Sequence, residues 1–88
     1  MPVLGPAGYH RGVITRGTPT PPYLQLAGII RDQIESGDLA PGQQLPSALK
    51  LASTYQVAVP TVRKALGVLK DEGLITGVPG YGVFVAGG

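Results

Sequence analysis

Tyr23, Ala27, Ile30 and Ile34 recur at three- and four-residue intervals, the repeat that lines up side chains on one face of an α-helix. That stripe predicts a first helix from Pro21 to Ser36, with Thr20 as a candidate N-cap, Pro21-Pro22 in the first turn and Gly37 as the stop. Asp38 to Pro46 is polar and carries the turn signal Pro41-Gly42, and Gln44-Leu45 is able to pair as a very short strand before Pro46. Ser47 then reads as the N-cap of a second, short helix ending near Tyr55, whose Ala48, Leu51, Ala52 and Tyr55 fall on one stripe. After a tight connection at Gln56 to Ala58, Pro60 stands where a first helical turn accepts proline. Val62, Ala65, Leu66 and Leu69 follow at i, i+3, i+4, i+7 until Gly73. Leu74 to Thr76 and Val83 to Val85 are β-prone runs joined by Gly77-Val-Pro-Gly-Tyr-Gly82, a hairpin with a glycine-rich tip.

The first 22 residues break this order. Pro2, Gly5, Pro6, Gly8, Gly12, Gly17, Pro19, Pro21 and Pro22 are too dense for a helix or an interior strand. Residues 1–20 are therefore expected to form a flexible arm and residues 21–86 the folded domain. At 88 residues the chain has room for one domain, and 43% hydrophobic against 14% charged residues calls for a small packed core.

Composition removes whole classes of chemistry. With no cysteine there is no disulfide, thiolate metal site or nucleophilic thiol, and His10, the only histidine, cannot build a usual zinc site. The adjacent Asp71 and Glu72 point about 100° apart on a helix and cannot share a proton, while Arg31, Asp32 and Glu35 read as the solvated face of the first helix. No enzyme, cofactor or metal is expected. No apolar run approaches the roughly 20 residues a bilayer crossing needs, and no secretory signal precedes the domain, so a cytoplasmic protein without membrane contact is expected. The net charge of +2 resides in Arg11 and Arg16, because residues 21–88 balance five cations against five anions. A nucleic-acid argument must therefore rest on where charge is placed.

Placement points to the helix, turn, helix at residues 47–72 followed by a ribbon. The predicted fold class is mainly α with a small β-hairpin wing: a winged helix-turn-helix of three helices plus a two- to three-stranded antiparallel sheet. With Val62, Ala65, Leu66 and Leu69 turned inward, Pro60, Thr61, Arg63, Lys64 and Gly67 lie on the outer and flanking face of the third helix. Spacing alone fits two accounts of Arg63 and Lys64 equally, a solvated amphipathic face and a DNA-reading face.

The run Tyr23 to Val85 resembles the N-terminal winged-helix domain of GntR-type bacterial transcription regulators. It matches in order Ile34-Glu-Ser-Gly-Asp-Leu-Ala-Pro-Gly42, Leu45-Pro-Ser47, Leu51-Ala52, Val57, Thr61-Val-Arg63, Ala65-Leu66, Leu69, Glu72-Gly-Leu74, Gly80 and Gly82-Val-Phe-Val85. The resemblance implies binding of double-stranded operator DNA, usually as a homodimer on a palindrome. The contacts it implies come from the start of the second helix, the third helix in the major groove, and the wing tip near the minor groove. Ser47 and Arg63 match family contact positions, Thr61 a recognition-helix hydroxyl, and Gly80 the wing tip. Lys50, Val59, Pro60, Lys64 and Tyr81 complete the expected DNA-binding set. The chain departs from the family where Ala48 and Leu49 replace glutamate and arginine, where Ala58 and Val59 replace serine and arginine, and where Tyr81 replaces a basic wing residue.

The expected function is a sequence-specific transcription regulator, a repressor of GntR type without an effector domain, and no small-molecule effector is expected within this chain. The alternative is a winged-helix module that binds protein, suggested by apolar Leu49, Val59, Val78 and Tyr81 where cations are usual. The arm carries Tyr9-His10-Arg11 and Arg16, which fit either a solvated leader or a segment that tracks phosphates or enters a narrow minor groove.

Overall fold

Pro22–Ser36 forms the first helix, α1, in a computed structural model that describes residues 13–87. The helix begins one residue later than the sequence suggests. Pro22 holds the residue before it extended, so Pro21, at φ −61° and ψ 151°, takes the N-cap position instead of Thr20, and no side chain caps this end. At the other end the N–H groups of Gly37 and Leu39 close on the carbonyls of Ile34 and Gln33, at 3.3 and 2.9 Å.

The middle of α1 is buried more widely than one stripe. Gln25 to Ile30 are six consecutive buried residues, adding Leu26 and Ile29 to the expected Ala27 and Ile30, whereas Tyr23 and Ile34 are half-buried. The extra cover includes residues 13–20, expected as part of a flexible arm. They form no helix or strand, but Ile14 packs against the core and the side chain of Gln25 grips the segment at Thr15, Thr18 and Thr20. Residues 1–12, with His10 and Arg11, lie outside the described residues.

Ala48–Tyr55 forms α2, capped by Ser47, whose Oγ accepts from the Lys50 N–H at 3.1 Å. Gln56 ends it in the left-handed conformation (φ 56°, ψ 51°), and three residues later the chain turns into α3, Val59–Asp71. Val62, Ala65, Leu66 and Leu69 of α3 share one core with Leu26, Ala27 and Ile30 of α1 and Leu51 and Ala52 of α2. Arg31 does not stand in a merely solvated face: it holds Glu72, just past α3, through two hydrogen bonds of 2.9 and 2.8 Å. This forked pair raises the arginine's pKa and lowers the glutamate's below its ordinary range.

Ile75–Val78 (β1) and Gly82–Val85 (β2) pair antiparallel, with Ile75 opposite Val85 and Val78 opposite Gly82, so the ribbon extends further toward its tip than the β-prone runs alone indicate. Ile75 and Val85 close the core. A third strand is reduced to a bridge between Gln44 and Phe84, with flanking bonds from Leu45 N–H to the Val83 carbonyl and Val85 N–H to the Gln43 carbonyl, both 2.8 Å. It goes no further because Pro46 has no N–H to offer a ladder.

Candidate nucleic-acid interface

Three elements converge on one cleft of about 540 Å³, lined by Ser47 and Ala48 of the α2 start, Arg63, Leu66 and Lys70 of α3, and Tyr81 to Val83 of the wing. No Asp or Glu lines it, so its two cations impose an unopposed positive field. Arg63 and Lys70 share this wall because they are seven residues apart, two helical turns along one row. Ser47 reaches the cleft because it caps α2. Its oxygen accepts the Lys50 N–H, which leaves the hydroxyl proton to donate outward.

The wing is held over the cleft by Gln44, which the sequence marks only as part of a very short strand. Gln44 Nε2 donates to the Tyr81 carbonyl at 2.7 Å, and its amide lies so close to Gly82 that a β-carbon there would approach it to 2.5 Å. Gly82 is favoured by its φ of 126°, and a side chain there would also push the Gln44 amide aside. At the tip, the Tyr81 N–H closes a turn on the Val78 carbonyl at 2.9 Å, with Pro79 second and Gly80 third at φ 82°, the conformation that favours glycine. Tyr81 itself is 75% exposed.

The expected set is thus only partly assembled. Ser47, Arg63 and Tyr81 line the cleft, and Gly80 forms the wing turn beside it. Pro60 is exposed in the first turn of α3, Thr61 is half-exposed there, and Val59 is half-buried against the core. Lys50 lies instead along a second groove shared with Asp38 and Tyr55. Lys64 leans over the ring of Tyr23, 4.3 Å from its centre, and so is drawn toward α1. Lys70 and Gln44 line the cleft from outside the expected set. The first was detectable as the next member of the Arg63 row, and the second had no local signal. By sequence Arg16 belongs only to the arm, yet its Nη2 donates to the Gln56 carbonyl at 2.6 Å, on the turn between α2 and α3.

A short helix, a tight turn, a longer helix and a ribbon whose tip stands beside that longer helix define a winged helix-turn-helix of the DNA-binding kind. The family model of bacterial regulatory proteins, gntR family, matches residues 22–85, and the chain belongs to that family. It is 40% identical over 73 residues to an uncharacterized HTH-type transcriptional regulator, YurK, of Bacillus subtilis and 37% identical over 73 residues to that organism's transcriptional repressor NagR. Each alignment covers 83% of this chain and 30% of the relative. The chain therefore spans about 30% of the length of these curated relatives. Among solved structures, the DNA-binding domain of AraR in complex with operator ORX1 superimposes with a TM-score of 0.79 at 35% identity, covering 84% of this chain and 94% of that one. YtrA from Sulfolobus acidocaldarius, a GntR-family transcription factor, superimposes at 0.78 and 40% identity, covering 85% and 79%.

Proposed function

We propose that residues 13–87 bind double-stranded operator DNA in a sequence-specific manner and that the protein represses transcription. The observation that carries this reading is the acid-free cleft in which Ser47, Arg63, Lys70 and Tyr81 meet from three elements. In the proposed pose α3 enters the major groove, Arg63 contacts a guanine or a phosphate, Ser47 and Lys70 neutralise or hydrogen-bond the flanking backbone, and Gly80 and Tyr81 reach the neighbouring minor groove. Thr61 faces base edges, and Lys50, Lys64 and Arg16 supply positive charge around the helix-turn-helix rather than base readout. The AraR domain crystallised with operator DNA and the repressor NagR support this reading. Two copies would act as a homodimer on a palindrome, as two-fold recognition of a duplex requires. No effector role is assigned to these residues.

An in-vitro selection from random duplexes, run beside a sizing measurement of the free and bound protein, tests it. The proposal expects an enriched motif with two inverted half-sites. A pool that stays unenriched would overturn it and favour the protein-binding reading, to which exposed Leu49 and Tyr81 lend their apolar area.

A further inference from the structure

The turn of α3 that would meet base edges is poor in hydrogen-bonding groups. Ala58 occupies the N-cap without a side-chain bond, Val59 and Pro60 follow, and Pro60 has no N–H. The Thr61 and Val62 N–H groups are both spent on the Ala58 carbonyl, at 3.0 and 3.2 Å. Lys64 is engaged by Tyr23. From Val59 to Lys64, the Thr61 hydroxyl and the Arg63 guanidinium are the side-chain groups left for polar readout. A second element repeats the pattern: Leu49, two residues after the α2 cap, is 73% exposed.

An apolar surface can still discriminate bases, because thymine alone among the four puts a methyl group in the major groove. Arg63, one turn after Pro60 on the same helix, opens onto the acid-free cleft that also carries Lys70, so the occupant that matches both is a polyanion with apolar groups on its edge. Resting on the DNA-binding reading above, we propose that this domain selects its operator through thymine methyl groups packed against Ala58, Val59 and Pro60 and against Leu49, with Arg63 fixing a guanine. The half-site is accordingly rich in thymine at adjacent positions, and its polar readout is confined to the steps near Thr61 and Arg63.

The test uses the duplex obtained by selection, with each thymine in turn replaced by deoxyuridine, which removes one methyl group and keeps base pairing. Burial of one methyl predicts a loss of about fourfold in affinity at each contacted position. The loss should shrink toward onefold in Leu49→Ala or in Pro60→Ala, each at its own position, and 5-methylcytosine should recover part of the binding lost when a contacted thymine is changed to cytosine. Failure to bind any duplex would overturn the DNA-binding reading itself. Normal binding with deoxyuridine tolerated everywhere would leave that reading standing and overturn this one. Methyl sensitivity that persists unchanged in both variants would overturn the assignment to these side chains.

Discussion

Replacing Gln25 with alanine probes the link between the segment before α1 and the domain. Gln25 is 8% exposed, and its amide makes three hydrogen bonds of 2.7 Å, accepting from the Thr15 N–H and donating to the Thr15 and Thr20 carbonyls, with a longer one of 3.4 Å to Thr18 Oγ1. A net contribution of about 1 kcal/mol for each short bond would amount to roughly 3 kcal/mol. Thr15 and Thr20 are exposed residues, so water can take over part of their backbone pairing, and a cost of about 2 kcal/mol is the better expectation. In a domain of this size that lowers the melting temperature by roughly 10 °C. Circular dichroism melts would measure the shift, and amide exchange at Thr15 should accelerate with it. Gln25→Glu should not restore stability, because a carboxylate still accepts from Thr15 but cannot donate to the two carbonyls. A melting temperature within about 2 °C of the parent for Gln25→Ala would show that the clamp contributes nothing and return residues 13–20 to the status of a free arm.

Arg63→Ala should weaken specific DNA binding by roughly 1–3 kcal/mol in a fluorescence titration, with the melt unchanged because the side chain is exposed. Leu69→Ala should destabilise by about 2–5 kcal/mol in urea unfolding, since Leu69 is fully buried in a small core. Lys70→Ala should make the log-log salt dependence of DNA binding shallower by about one unit if Lys70 neutralises a phosphate, and an unchanged slope would take it off the backbone. Glu72 has its pKa lowered by Arg31, so its contribution to stability is complete above the ordinary glutamate pKa of about 4.3 and is lost as pH falls through the lowered value. Comparing acid unfolding of Glu72→Gln with the parent should show that this part of the pH dependence is gone.

Much of the fold was legible because its determinants are local. The Val62, Ala65, Leu66, Leu69 stripe, the Ser47 cap and the Pro79-Gly80 turn each rest on residues within a few positions of one another. What escaped depends on partners far along the chain. Gln25 is an ordinary surface glutamine by sequence, and only a backbone segment ten residues earlier makes it a buried clamp. Lys64 belongs to the outer face of its helix by periodicity, yet Tyr23 of α1 draws it aside. The same holds for Gln44, whose role depends on the path of the wing 37 residues later. Thr20 failed as a cap for a local reason, the consecutive prolines, which shifted the helix start by one residue.

On the proposed reading, the cleft between α2, α3 and the wing is the surface that meets DNA. Titrating ¹⁵N-labelled protein with the selected duplex and following backbone amide shifts tests it residue by residue. Shifts should concentrate at Ser47 to Lys50, Ala58, Val59, Thr61 to Gly67, Lys70 and Gly80 to Gly82, while Asp32 and Glu35 on the outer face of α1 stay in place. Shifts centred on α1, with Arg63 and the wing silent, would contradict it.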